Sequence, residues 1–214
     1  MTRCRRTIGK ASVSSFEGSS MLACAVLLLA VLSRILPPAF HTTAWNFTAV
    51  GGSLLFFGSR MRGRASGSES HWNVFAKLLG AVAVLAATDF YLTAFAYHFP
   101  FHISGYVVTW AWYAAVCLIG MGLLQKPSVL RVIAGVLASS ASFFLLSNFM
   151  VWARGTMYVH TPAGLAECYA MGIPFLRNDV VSTALTAGAL FGLPVLAAKI
   201  AESMEAAQHN QPLA

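Results

Sequence analysis

Charged residues are scarce in this chain. Lys, Arg, Asp and Glu together make up 10% of its 214 residues, while 57% of the residues are hydrophobic. Soluble globular domains carry about 25% charged residues, so the composition excludes an ordinary soluble domain. The mean hydropathy of +0.68 predicts instead an all-α integral membrane protein, since each membrane-crossing helix needs about 20 mostly apolar residues.

Acidic residues are the scarcer of the two charge types, with seven Asp and Glu against 14 Lys and Arg, and the net charge is +7. In a membrane protein, such a basic excess marks the loops on the cytoplasmic side. We therefore expect the lipid bilayer, and no nucleic acid, as a partner. The four cysteines (Cys4, Cys24, Cys117 and Cys168) lack CxxC spacing and indicate neither a disulfide framework nor a zinc site.

Recognisable catalytic signatures are also missing. The sequence contains no GxxxxGK[ST] phosphate loop, HExxH motif, GxSxG elbow or paired-carboxylate motif, each of which would place reactive groups at a defined spacing. We predict no catalytic residue, no metal site and no cofactor. Residues 1–37 have the basic start and apolar run of a signal peptide, but no small-residue cleavage site follows the run, so we expect an uncleaved helix.

Six apolar runs predict six transmembrane helices. They lie near residues 20–36, 46–60, 74–97, 103–124, 129–152 and 180–201. This pattern predicts three parts, namely a basic cytoplasmic segment over 1–19, a membrane domain over 20–201 and a cytoplasmic tail over 202–214. The stretch 143–179, rich in aromatic and polar residues, predicts an outer loop between helices 5 and 6 that carries a short or re-entrant helix and covers a pocket.

The distribution of basic residues predicts the orientation. With the N-terminus inside, eleven Lys and Arg residues lie on the cytoplasmic side and three, Arg34, Arg154 and Arg177, lie outside. This positive-inside bias places both termini in the cytoplasm.

That orientation gathers unusual polar and aromatic residues on the outer side, which predicts a binding pocket there. Aromatic side chains would stack on a small ligand while amide and charged groups orient it. The predicted ligand-binding residues are Asn46, Asp89, His98, His102, Trp110, Asn148, Trp152, Tyr158, Cys168, Tyr169, Arg177 and Asn178.

Several of these residues also allow structural roles. Asp89 lies inside a predicted span, where a carboxylate costs roughly 2.5–3.5 kcal/mol, so it either contacts ligand or protons, or bonds a neighbouring helix or Arg154 or Arg177. His98 and His102 flank Pro100. Two imidazoles suit a metal-centred ligand, although anchoring at the membrane interface is the favoured interpretation.

The remaining candidate residues also allow a structural role as an alternative to ligand binding. Asn148 suits interhelical hydrogen bonding, and Asn46 suits the N-cap of a helix. A lone Cys168 usually behaves as a small hydrophobic residue. For Cys168, the nearby Tyr169 and Asn178 favour a position in the pocket wall.

Some of these residues carry a resemblance to a known family. They are Asn46-Phe47-Thr48, Leu54–Gly58, Asp89, Phe143-Phe144, Asn148-Phe149, Trp152, Tyr158, Thr161, Gly164-Leu165, Cys168-Tyr169, Ile173–Phe175 and Asn178. They resemble an uncharacterised family of six-span bacterial membrane proteins that is similar to substrate-binding S components of energy-coupling factor (ECF) vitamin transporters, including the solitary cobalamin S components. The likeness covers roughly residues 20–195 and departs from the family at Thr48-Ala49.

The resemblance implies a vitamin-uptake subunit of the bacterial inner membrane with an outward-facing site, possible partners being a transmembrane coupling protein and ATPases. It suggests cobalamin or a related corrinoid, with Cys168, His98 or His102 as a cobalt contact. Two alternatives stay open. One is a membrane enzyme acting on a lipid or quinone through Asp89 and the histidines, and the other is a structural or assembly protein using the small-residue faces Ala83–Ala87 and Gly188–Gly192.

Overall fold

The structure, a computed structural model, describes residues 7–35, 48–62 and 70–209, with side chains over 21–35, 48–62 and 70–205. Within those ranges the regular structure is entirely helical. The helices are α1 (Thr7–Ile35), α2 (Val50–Arg60), α3 (His71–Tyr91), α4 (Ile103–Leu123), α5 (Val129–Arg154) and α6 (Pro162–His209). A five-residue π-helical turn, Leu92–Ala96, continues α3 directly.

Four of the helices have the length and apolar composition of membrane spans. They are α3 with its π-helical turn, α4, α5 and α6. A further apolar segment, Met21–Ile35 in α1, is shorter. Their length and composition are those expected of a multi-pass membrane protein. Helix α3 with its π-helical turn, α4 and α5 match the helices that the sequence predicted near 74–97, 103–124 and 129–152.

The first two predicted helices differ more from the helices that the structure shows. Helix α1 begins at Thr7, so part of the expected 1–19 segment is helical. Helix α2 has 11 residues, which gives about 16 Å of helix against a hydrocarbon core of about 30 Å. The six-span count and the cytoplasmic placement of both termini therefore stay predictions.

The expected outer loop with a re-entrant helix between helices 5 and 6 is wrong. Helix α6 begins at Pro162 and continues through Pro174 and Pro194 as one 48-residue helix to His209, so only residues 155–161 connect it to α5. Proline and polar residues favour a loop in sequence reasoning, but a membrane helix tolerates proline where neighbouring groups satisfy the freed backbone. The expected tail over 202–214 is likewise helical as far as His209.

The short helix α2 lies at the centre of the bundle. It packs against α1, α4, α5 and α6, and every residue from Val50 to Ser59 is buried. A Cβ at Gly58 would lie 2.0 Å from the Cys117 carbonyl oxygen, and a Cβ at Gly120 would lie 2.2 Å from that of Leu55. Glycine at both positions lets α2 and α4 approach almost backbone to backbone.

The helices alternate in direction and so define two ends of the bundle. At the upper end, as we name it, α1, α3 and α5 finish and α2, α4 and α6 begin. Several hydrogen bonds join elements there, and two of them involve the ends of α1 and α5. The Ala49 amide donates to Ser33 Oγ (3.1 Å), and Arg154 donates to the Ser104 carbonyl. The polar residues that the sequence singled out lie mostly toward this end.

Candidate functional site

An ion pair between Arg34 and Asp89 forms the polar centre of the upper end. Arg34 Nη2 donates to Asp89 Oδ1. Trp110 Nε1 donates to Asp89 Oδ2 (3.0 Å), and the Tyr113 hydroxyl donates to Oδ1 (3.3 Å). Asp89 is 3% exposed, so these donors from α1 and α4 provide the partners that a buried carboxylate requires.

Local sequence explains how these donors converge. Trp110 and Tyr113 are three residues apart on α4, a spacing that places both side chains on one helix face. Asp89 lies in the last turn of α3, just before the π-helical turn Leu92–Ala96. Single π-helical turns occur often at functional sites. Here the turn redirects the chain beside the ion pair.

Beside the ion pair is a cleft of about 490 Å³, which we call the Arg34 cleft. Its walls combine the charged pair with hydroxyl and aromatic side chains. The lining residues are Arg34, Thr48, Asp89, Leu92, Thr93, Tyr97, Phe99, Pro100 and Tyr106. The Thr93 and Tyr106 hydroxyls bond each other across it.

Only one of the two terminal nitrogens of the Arg34 guanidinium has a hydrogen-bond partner among the described residues. Its side chain is 15% exposed, and its Nη1 has no hydrogen-bond partner in the part of the chain that the structure describes. A buried donor without a partner is costly. The cleft therefore offers a positively charged donor to an oxygen acceptor of a bound molecule.

An aromatic stack supports the cleft wall. The rings of Phe101 and Tyr106 stack at 4.9 Å and 16°, and those of Tyr106 and Trp110 stack at 6.2 Å and 24°. Since Trp110 also donates to Asp89, the stack and the ion pair form one connected unit.

The two predicted histidines stand outside the lining of this cleft. His98 and His102 are both exposed. His98 has φ 55°, in the left-handed region that non-glycine residues rarely adopt. This conformation allows the Phe99 amide to donate to the Thr93 carbonyl (2.9 Å), so His98 shapes the turn after the π-helix.

A second cavity of about 390 Å³ lies between α5 and α6, and we call it the α5–α6 cavity. Three predicted residues line it, namely Asn148, Tyr158 and Cys168. Asn148 Nδ2 donates to the Phe144 carbonyl (2.8 Å), and the Cys168 thiol donates to the Asn148 carbonyl (3.3 Å). The Asn148 side chain therefore bonds within its own helix, and of these two bonds only the one from the Cys168 thiol joins α6 to α5, through the Asn148 backbone carbonyl. These bonds do not show the interhelical side-chain role that the sequence allowed for Asn148.

Other predicted residues fasten the same helices and the loop between them. Trp152 Nε1 donates to the Val159 carbonyl (3.0 Å), and the Tyr169 hydroxyl donates to the Leu145 carbonyl (2.9 Å). Arg177 is exposed and Asn178 is half-buried, and neither lines the Arg34 cleft or the α5–α6 cavity. Asn46 lies outside the described residues.

Of the predicted pocket residues, Asp89 lines the Arg34 cleft and Asn148, Tyr158 and Cys168 line the α5–α6 cavity, while the others that the structure describes line neither. The two cavities share no lining residue. The structural alternative for Asp89 was a bond to a neighbouring helix or to Arg154 or Arg177, and the observed partners are Arg34, Trp110 and Tyr113 on neighbouring helices. Sequence reasoning missed this role of Arg34 as well as that of Tyr113. The available signal was an arginine near the end of one apolar run and an aspartate near the end of another.

A comparison with protein families matches residues 14–206 to DUF6580, a family of unknown function. The chain belongs to this family. We found no matching curated protein and no matching solved structure.

Membership of DUF6580 agrees with the expectation of an uncharacterised family, and it brings no substrate or activity with it. The function of this DUF6580 chain must therefore be argued from its side chains. Within the described ranges, no group of three or more His, Cys, Asp or Glu side chains is placed to hold a metal ion.

Proposed function

We propose that this protein is a membrane-embedded binding and uptake subunit for a small, vitamin-like molecule, which it holds in the Arg34 cleft. The observation that carries the proposal is the buried Arg34 guanidinium, whose Nη1 has no partner among the described residues and which lines the cleft. Small-molecule sites combine apolar walls with a few polar groups that fix orientation, and this cleft has both.

The contacts suggest the chemistry of the ligand. Asp89 already accepts from Arg34, Trp110 and Tyr113, so its role is to position Arg34 and balance its charge. The group left to contact a ligand is the guanidinium, which binds carboxylates especially well. We infer a ligand with a carboxylate or carbonyl oxygen at one end and an apolar or flat body that contacts Tyr97 and Phe99.

The size of the cleft bears on the choice of vitamin. A volume of about 490 Å³ lies within the range of about 300–1,000 Å³ typical of small-molecule pockets. It suits a vitamin of the size of biotin, pantothenate or nicotinate better than a corrinoid, which is several times larger. Cobalamin, suggested by the sequence resemblance, belongs in the same test.

Uptake against a gradient requires energy from another source, because the sequence has no phosphate-binding loop of its own. The resemblance to ECF S components suggests partner ATPases joined through a transmembrane coupling protein. The proposal is therefore a binding subunit that works with such a module in the bacterial inner membrane.

Thermal unfolding of the purified protein in detergent tests this proposal. Samples would contain biotin, pantothenate, nicotinate or cobalamin, and a ligand is expected to raise Tm by an amount that grows as its concentration exceeds its dissociation constant. The variant Arg34→Lys keeps the charge opposite Asp89 but loses the planar second donor, so it should lose most of the ligand-induced shift. Arg177→Lys, at an exposed arginine, should keep the full shift.

Two results would count against the proposal. One is the absence of any shift with the whole panel. The other is an equal shift in the wild type and in Arg34→Lys, which would place the ligand elsewhere.

A further inference from the structure

Deeper between α5 and α6 lies a second set of buried polar side chains that the Arg34 cleft does not use. Ser139 and Ser140 on α5 and Asp179 and Thr183 on α6 are all at least nine-tenths buried, with exposures of 0%, 1%, 7% and 0%. Among the described residues, Ser139 Oγ, Asp179 Oδ2 and Thr183 Oγ1 have no hydrogen-bond partner, and the Ser140 hydroxyl lies beside the Asp179 carboxyl group. Three unpartnered oxygens in one region of a buried interface are unusual.

Their positions place them in two neighbouring pairs. Thr183 follows Asp179 by four residues on α6, which places both side chains on one helix face. A Cβ added at Gly51 of α2 would lie 2.6 Å from Thr183 Oγ1 and 3.2 Å from Ser139 Oγ, so these two oxygens meet over the bare face of Gly51.

The other two oxygens border the α5–α6 cavity, which Ser140 and Asp179 both line. The same cavity is lined by Met157 and Tyr158 of the 155–161 connection. A route therefore leads from the upper end of the bundle down to the Asp179 carboxylate.

We propose that Asp179, Ser139, Ser140 and Thr183 bind a monovalent metal cation at the inner end of the α5–α6 cavity. Carboxylate and hydroxyl oxygens are hard ligands that suit alkali and alkaline-earth cations rather than transition metals. The site contains one carboxylate, so a monovalent cation gives a neutral complex. A divalent cation would leave a net positive charge in an apolar interior, which is costly.

The surrounding basic residues do not replace such a cation. Arg177, two residues before Asp179, is exposed, and Arg154 donates to the Ser104 carbonyl at the upper end. Arg131, on the opposite end of α5, donates to the Lys126 carbonyl (3.2 Å). An ionisable residue inside a membrane bundle commonly marks an ion pathway, and Asp179 is a buried carboxylate on the lining of the α5–α6 cavity.

Sodium is the probe that tests the site. The full chain in detergent, with no vitamin present, would be unfolded thermally while NaCl replaces choline chloride at constant ionic strength. We expect a rise in Tm that continues with the logarithm of the sodium concentration above the dissociation constant, that choline does not produce and that CaCl2 does not exceed. Equal Tm values in sodium and choline, or a larger shift with calcium, would overturn the proposal.

Variants locate the site. Asp179→Asn should abolish the sodium-dependent shift, while Glu167→Gln, at an exposed carboxylate on the same helix, should retain it. Ser140→Ala should weaken the apparent sodium affinity about tenfold, and Ser203→Ala, at an exposed serine, should leave it unchanged. A sodium shift that persists in Asp179→Asn would contradict the assignment. The wild-type titration decides between sodium and choline even if a variant fails to fold.

A negative result for the sodium site can be distinguished from a negative result for the proposed vitamin binding. The sodium titration contains no vitamin, and the vitamin panel can be run in choline chloride. Each experiment therefore reports on its own site.

Discussion

Arg34 and Asp89, which are 55 residues apart in the sequence, form an ion pair that fastens the end of α1 to the end of α3. The carboxylate also accepts from Trp110 and Tyr113 of α4. Three helices thus meet at one buried charge pair, and the Arg34 cleft opens beside it.

Removing one partner of this ion pair should strongly destabilise the folded protein. Asp89→Leu leaves the Arg34 guanidinium without its counter-charge, and removing one partner of a buried pair costs about 3–5 kcal/mol. The loss would be measured as a lower free energy of unfolding in detergent. Arg34→Met together with Asp89→Leu should recover much of it, because no uncompensated charge remains. A double variant as unstable as the sum of the two single ones would show that the two side chains do not interact.

Close packing between α2 and α4 gives a second prediction. Gly58→Ala would put a Cβ 2.0 Å from the Cys117 carbonyl oxygen, so the helices must separate, at a cost of about 1–3 kcal/mol. Gly122→Ala is the matched control, since a Cβ there meets nothing within 4 Å. Tm should fall for the first variant and hold or rise slightly for the second. Equal effects at the two positions would contradict the central, tightly packed place of α2.

The turn after the π-helix gives a third prediction. Because His98 has φ 55°, His98→Gly should keep or raise the free energy of unfolding, and His98→Val should lower it by roughly 1–2 kcal/mol. His102→Val, at an exposed residue with extended backbone, should change it little. Ligand binding should survive His98→Gly and His102→Val. Loss of binding in His98→Gly with the fold intact would restore His98 as a ligand contact.

The accuracy with which the sequence predicts the helix bounds differs from helix to helix. The apolar runs predict α3 with its π-helical turn, α4 and α5 to within about three residues at each end, because composition and flanking prolines determine where a buried helix begins and ends. They fail for α6, where Pro174 and the polar residues before it favour a loop. A proline inside a helix depends on tertiary surroundings that local patterns do not contain.

The residues of the candidate sites also differ in how well the sequence predicts them. Asp89 stands out in the sequence because a carboxylate inside an apolar run is rare. Its partner Arg34 does not, since pairing over 55 residues leaves no local signal. Ser139, Ser140 and Thr183 are ordinary small residues in apolar helices, and only the packing of α2, α5 and α6 brings them together.

Burial of Cys168 leads to a fourth prediction. Its side chain is 2% exposed and its thiol donates to the Asn148 carbonyl (3.3 Å), so in a variant that keeps only this cysteine N-ethylmaleimide should react slowly. Glu167→Cys in a cysteine-free background, at an exposed neighbouring position, should react roughly tenfold faster or more. Equal labelling rates in the folded protein would show that α6 does not pack on α5 as described.

Native mass spectrometry of the protein released from detergent is the most direct test of the central claim, that the Arg34 cleft binds a small molecule. The wild type is expected to retain a co-purified or added carboxylate-bearing vitamin as a mass adduct. Arg34→Lys should lose the adduct and Arg177→Lys should keep it. An adduct of equal abundance in all three proteins, or none in any of them with the vitamin panel present, would contradict the claim.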